Sequence, residues 1–405
     1  MGSTGFGIRR VAHARKGRGL FRRGPDAHDV GERLGRIAKR MIRGAVTRAK
    51  WKGDRYIVEL ALDAQAPRVR LSCEADASVV LAAVTSPIGP GYHLDVIRRV
   101  SPVLEEIDYA WDDDDEDAAG VQRDTCEWLA DELRAGKTRI DVPRPYIVPD
   151  AAVLTMLGPR DARWRDAVIA DPMRGADAFP YWQPDAPGHA LRARALIAMW
   201  HEVPWREPLD DDERAVMKQV DHDLRAARKI DIDIDVPWPD WSELLDLLGT
   251  DDGYAEEAAR RAAGRPGTIG YRRYELDVEL IGGWWVRLGG AFVGGWDEDG
   301  GRYWATDGDR TIELVSMTAE EHRDSAALLA VAPEHHPVIA RIDAGTMRGR
   351  AEAYDEDDVR IVHGLVADAP HIAILTCKGA KADEAWALDT WRSLRQVPAG
   401  QVPAG

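Results

Sequence analysis

The sequence predicts an α+β protein: a β-rich then helical middle domain, followed by a C-terminal antiparallel sheet with helices packed on one face. Three observations carry this. Short β-branched runs broken by turn residues recur between residues 55 and 84 and again between 274 and 377. Apolar residues at helical spacing fill 161–248. The chain has 405 residues, more than one ordinary hydrophobic core takes, so two or three domains are expected.

Residues 1–30 are rich in Gly and Arg with little periodicity and are expected to be mobile. Across 32–50, Leu34, Ile37, Met41, Ile42, Ala45 and Val46 fall near helical spacing, with Arg33, Arg36, Lys39, Arg40, Arg43 and Arg48 around them. This reads as a basic amphipathic helix whose apolar stripe must be buried against something. Residues 1–52 are therefore read as a basic arm, and those six cations as its candidate contacts.

The middle domain is placed at 53–262. Strands are expected at 55–62, 68–73 and 79–84. A Pro/Gly loop at 86–93 then opens a helix, the acidic run 112–117 makes a solvated loop, and a helix follows at about 121–135 with Cys126, Trp128 and Leu129 inward. A strand leads to a turn at Gly158-Pro159. Helices follow at 161–170, 188–202, 210–229 and 238–248, the last bracketed at its start by Pro237 and Pro239. A short helical linker, 251–267, ends in a domain boundary near 260–268.

The third region, 268–395, opens with strands at 274–280 and 284–288 and a hairpin at 301–305 and 311–315. A helix at 319–330 interrupts. Strands at 338–342, 348–354, 359–367 and 371–377 follow, and a helix at 383–394 closes the domain. The repeated tail QVPAGQVPAG, with residues 396–405 as a whole, is expected to be disordered.

Charge is divided unevenly. The net charge is −16, yet residues 1–52 carry 15 Lys/Arg against 3 Asp/Glu, and the remainder carries 39 against 67. A basic segment on an acidic body implies different partners for the two, or docking of one on the other. The three cysteines, Cys73, Cys126 and Cys377, are far apart and odd in number, which fits reduced thiols and a cytoplasmic location. No apolar run approaches the roughly 18–20 residues of a transmembrane helix. High Ala, Arg, Asp and Gly usage resembles proteins of GC-rich bacterial genomes.

Catalytic signatures are absent. His201-Glu202 lacks the second His of a zinc-protease motif, and there is no G-x-S-x-G and no phosphate-binding loop. Glu334-His335-His336 reads as a solvated loop, since adjacent side chains point apart. Glu320, Glu321 and His322 read as an exposed helix start. Asp231, Asp233 and Asp235 alternate, which on a strand places three carboxylates on one face; a polar face ahead of the next helix is the alternative. No catalytic residue, metal site or cofactor is assigned. Tryptophan is abundant, 15 against 4 Phe. Trp284, Trp285, Trp296 and Trp304 cluster in the β region. If Trp284 and Trp285 share a strand, one must face away from the core and mark a partner groove.

The final strands, with Trp386 and Trp391 five apart in Asp383–Leu394, make roughly residues 270–395 similar to the PsbP-like fold. That family includes extrinsic photosystem II proteins, a Ran-binding import factor and bacterial Eag chaperones of type VI secretion effectors. The resemblance implies partner binding and no shared catalytic site. The leading expectation is a non-catalytic cytoplasmic interaction factor, a chaperone, adaptor or immunity protein. Its partner is a protein, acidic or a secreted effector or toxin. One alternative is an enzyme with a site assembled from His93, His201, Glu202, His222 and Asp233. Another is a nucleic-acid or membrane-surface binder acting through the arm.

Overall fold

The computed structural model describes residues 5–15, 25–63, 65–112, 117–143, 146–184, 187–297, 299–319 and 324–397. Most of the acidic run 112–117, Glu320, Glu321 and His322, and nearly all of the 396–405 tail lie outside the described residues. The fold is α+β, in two units. The first comprises Met1–Val142, Ala152–Met199 and Gln219–Pro237; the second comprises Pro143–Ala151, Trp200–Lys218 and Trp238–Gly405. The units interleave in sequence, so no single boundary near 260–268 separates them.

Strand β1 (Gly7–Ala14) comes from the segment read as mobile. Its alternation is hidden by arginines: Ile8 and Ala12 are buried, and so is Arg10, whose guanidinium lies 5.1 Å from the Trp111 ring. Helix α1 (Ala27–Met41) starts on Asp26, whose carboxylate accepts from the His28 and Asp29 amides. It is shorter than the 32–50 expected. Ile42 caps it outside helical geometry, Gly44 at φ +79° turns the chain, and β2 (Val46–Lys52) follows with the period of a strand. The six-stranded antiparallel sheet is completed by β3 (Arg55–Leu60), β4 (Val69–Cys73), β5 (Val79–Val84) and, beyond α2 (Pro90–Glu106), β6 (Tyr109–Trp111). Its order is β2-β3-β4-β5-β1-β6.

One face of this sheet is the core. Tyr56, Val58, Leu60, Val69, Leu71, Val79 and Leu81 pack against Val30, Leu34 and Ile37 of α1 and Val96, Val100 and Val103 of α2. Gly31 and Gly35 let α1 lie directly on the Tyr56 ring, where a Cβ would overlap it. The apolar stripe read from the sequence is thus buried on the protein's own sheet.

Helix α3 (Ala118–Arg134) buries Cys126, Leu129 and Leu133 in a second small core with Val153, Val168 and Phe179. Strand β7 (Tyr146–Ile147) belongs to the second unit. Strands β8 (Val153–Thr155) and β9 (Gly158–Arg160) form a hairpin, so Gly158-Pro159 lies in a strand and not at its turn. Helices α4 (Ala162–Ala170), α5 (Pro187–His201) and α6 (Asp211–Ile230) follow. Arg194 of α5 pairs with the buried Asp223 of α6.

In the second unit, α7 (Trp238–Leu247) and α8 (Gly253–Ala262) pack through Trp241, whose ring lies 5.5 Å from Trp238 and 5.9 Å from Tyr254. The buried Asp240 accepts from the Thr268 and Ile269 amides at 2.6 and 2.7 Å. The stretch read as a linker is therefore anchored. Strands β10 (Glu275–Glu279) and β11 (Trp284–Gly289) sit in a four-stranded sheet with β7. Asp277, 1% exposed, ties this sheet together through Arg287 at 2.9 Å and Arg395 at 2.7 Å.

The larger sheet is built from β12 (Val293–Trp296), β13 (Arg302–Thr306), β14 (Thr311–Thr318), and, after α9 (Ser325–Val331), β15 (Val338–Ala344), β16 (Met347–Glu356), β17 (Val359–Asp368) and β18 (His371–Ala380). Its order is β12-β13-β14-β18-β17-β16-β15. Helix α10 (Glu384–Arg392) covers one face, and β19 (Arg395–Gln396) then pairs with β11. Trp391 is fully buried in a core with Leu314, Val362, Leu375 and Cys377. Gly364 and Gly349 leave the space its indole fills.

Candidate binding face

Of the four tryptophans read as candidate partner contacts, neither Trp284 nor Trp285 is exposed. Trp284 and Trp285 are both buried, at 0% and 3% exposure, because both faces of β11 are covered. Trp296 and Trp304 are each 43% exposed. Register separates them: Trp296 stands opposite Tyr303 and Trp304 opposite Gly295, so the two indoles project from opposite faces.

The residues named for a scattered catalytic site are divided between the two units. In the first unit His93 is closed in the core, its Nδ1 3.2 Å from Thr85 Oγ1, whereas His222 and Asp233 are exposed. His201 and Glu202 belong to the second unit, where the buried His201 ring lies 5.2 Å from Tyr271. The 231–235 segment is a turn after α6 and not a strand; Asp231 Oδ1 accepts from the Asp233 amide at 3.0 Å. Aspartate favours such local turns over extended pairing. Among the described residues no three His, Cys, Asp or Glu side chains are placed to hold a metal ion.

Glu334-His335-His336 is held in place by a buried pair. Glu352, 1% exposed, accepts from the His335 and His336 amides at 2.9 and 3.0 Å and from Arg350 at 3.1 Å. Arg350 in turn donates to the carbonyls of Leu329, Ala332 and Pro333. Burial by itself raises the Glu352 pKa, but those two amides and the Arg350 guanidinium outweigh it and hold the carboxyl below its ordinary value of 4.5. A depressed folded-state pKa stabilises above the unfolded value and the contribution is lost as pH falls through the folded one. Glu352→Gln is expected to shallow the loss of stability below about pH 4.5, measured by thermal melts across pH.

All three cysteines are buried and unpaired with one another. Burial pushes the Cys73 thiol up to about 11 and Cys126 to about 12, and raises Cys377 further. Such thiols are poor nucleophiles. Ellman's reagent at mild alkaline pH is expected to titrate none in the folded protein and all 3 after denaturation.

The unusual surface is the second face of the six-stranded sheet. Register sets its rows. Arg48, Glu59, Arg70, Ala82 and Arg9 stand directly opposite one another across β2, β3, β4, β5 and β1. The neighbouring row is Lys50, Ile57, Ser72, Val80 and Val11, and Lys52 faces Arg55 beyond it. Arg68, just before β4, reaches the same face: its guanidinium lies 3.8 Å from Glu59 and 3.1 Å from Thr47 Oγ1.

Among the described residues, seven cations on β1 to β4 thus share a face with Glu59 and Glu74, and at the β6 edge of that face Asp112 lies 3.0 Å from His13. Glu59 lies 3.7 Å from Arg70, and Glu74 2.7 Å from Arg55. Arg9, Arg48, Lys50 and Lys52 are exposed and have no carboxylate partner among the described residues. Two shallow hollows mark the face and meet at Arg70. One, about 260 Å3, lies between Arg48, Lys50, Lys52 and Ile57; the other, about 390 Å3, between Arg9, Arg68, Ala82 and Val84.

Lysines on an edge strand such as β2 also prevent edge-to-edge association. That account does not reach Arg70 and Arg9, which lie on interior strands. Of the six cations picked as arm contacts, only Arg48 belongs to this face. Arg33 and Arg40 bind Glu106, and Arg36, Lys39 and Arg43 are exposed on and after α1, which packs on the opposite face of the sheet. The readable signal was the alternation of cations at 48, 50 and 52 and at 68 and 70; a helical reading of 32–50 concealed it.

No helix among the described residues is long and apolar enough to cross a membrane. Compared with known proteins, the chain matches no family model and no curated protein.

Proposed function

We propose that this is a cytoplasmic interaction protein that engages an anionic macromolecule through the open face of its six-stranded sheet. The observation that carries the reading is seven cations on one sheet face in a chain of net charge −16. Four of the seven, Arg9, Arg48, Lys50 and Lys52, have no carboxylate beside them among the described residues; such like charges raise the free energy of the isolated protein and lower it on meeting a polyanion, with strong dependence on salt. The resemblance of residues 270–395 to PsbP-like partner-binding proteins supports the same class of function. Three buried thiols support a reducing compartment.

The test is anisotropy titration of labelled poly-glutamate and an oligothymidylate against the full chain at several salt concentrations. Binding that weakens steeply with salt and is lost in Arg48→Ala/Lys50→Ala/Arg70→Ala supports the reading. Binding indifferent to those substitutions, or no binding at low salt, overturns it.

A further inference from the structure

We infer that the anionic macromolecule is a protein, and that the face takes an acidic amphipathic α-helix lying across the strands. The inference rests on the proposed binding role of this face and goes on to name its partner.

The stretch Ile57, Ser72, Val80 and Val11, which lies between Lys50 on β2 and Asp112 at the β6 edge, decides between partner classes. Ile57, Val80 and Val11 are half-buried apolar side chains, Ser72 is turned down onto Glu74 at 2.7 Å, and Ala82 and Val84 beside them are small. Phosphates gain nothing from such a strip. Nucleic-acid surfaces on open sheets use aromatic side chains to stack bases. Here the nearest aromatics on these strands, Trp51 and Tyr56, point to the other face, where Trp51 stacks on His28 at 5.1 Å and Tyr56 packs under α1. An apolar strip flanked by cations is instead the complement of a helix with an apolar stripe flanked by carboxylates.

The dimensions agree. Residues two apart on a strand are separated by about 6.8 Å, so the Arg48–Arg70–Arg9 row and the Lys52–Arg55 pair lie about 14 Å apart with the apolar row between them. A helix is about 10–12 Å across with its side chains, which seats it between the two sets of cations. From β2 to β1 the face spans four interstrand steps of about 4.8 Å, roughly 19 Å, or about 13 helical residues. Carboxylates on one side of such a helix meet Arg48, Arg70 and Arg9, and those on the other meet Lys52 and Arg55.

The test uses three labelled probes of equal formal charge on the full chain: an acidic peptide with a helical apolar stripe, a scrambled peptide of the same composition, and an oligothymidylate. The striped peptide is expected to bind at least about tenfold tighter than either control, and to keep that advantage at raised salt, because apolar burial is not screened. Val80→Thr, which keeps shape, and Ile57→Ser are expected to erase the advantage while leaving oligothymidylate binding unchanged. Circular dichroism confirms that each variant is folded. Equal binding of striped and scrambled peptides, or tighter binding of the oligonucleotide, overturns the helix inference and leaves the anion-binding face standing. Failure of all three probes to respond to Arg48→Ala/Lys50→Ala/Arg70→Ala overturns both.

Discussion

Replacing Arg48, Lys50 and Arg70 together by alanine is expected to weaken binding of polyanionic probes about 100-fold near physiological salt. Each surface cation facing a dense anion contributes about 1 kcal/mol, and about 1.4 kcal/mol is a tenfold change, so three cations account for roughly two decades. With the oligothymidylate, the slope of log K against log salt is expected to fall by about 2, at about 0.7 per phosphate contact in a single strand. The control decides location. Arg36→Ala/Lys39→Ala/Arg43→Ala removes the same charge from α1 and its end, and is expected to change affinity by less than about threefold, since charges beyond a Debye length of about 8 Å are largely screened. Equal losses from both triples would mean that net charge, not this face, governs binding.

The second large effect is on stability. Trp391→Ala is expected to destabilise the second unit by about 3–5 kcal/mol, the range for removing a fully buried aromatic side chain. Neither Gly364 nor Gly349 has a side chain to move into the void, so relaxation is poor and the upper part of the range is expected. At roughly 2–4 °C per kcal/mol for a unit of this size, the corresponding transition falls by about 6–20 °C. Calorimetry resolves whether the transition assigned to the first unit stays in place. A shift of less than about 2 °C would show that α10 contributes little to that core.

Both effects arise from residues whose type was visible in the sequence and whose surroundings were not. Trp391 on a closing helix was read as packing against a sheet, and it does. What made that packing possible, a glycine on each of two neighbouring strands, depends on strand pairing between β16 and β17. Trp284 and Trp285 show the converse. Alternation along one strand correctly separates their directions, but whether a face is covered depends on distant elements.

The basic N-terminal region shows the division most clearly. The order of residues alone determined that residues 1–52 are cationic on an acidic remainder, that strands lie within 55–62, 68–73 and 79–84, and that the stripe through Leu34 and Ile37 is buried. Local chemistry is sufficient for these, since period and charge are properties of neighbouring residues. Tertiary structure decided that residues 7–14 are a strand between β5 and β6, that the helix stops at Met41, and that Arg48, Lys50, Arg68, Arg70 and Arg9 form one surface. Cations separated by up to 61 positions meet because hydrogen-bonded register fixes which side chains stand opposite, and register is a long-range property that no local window contains.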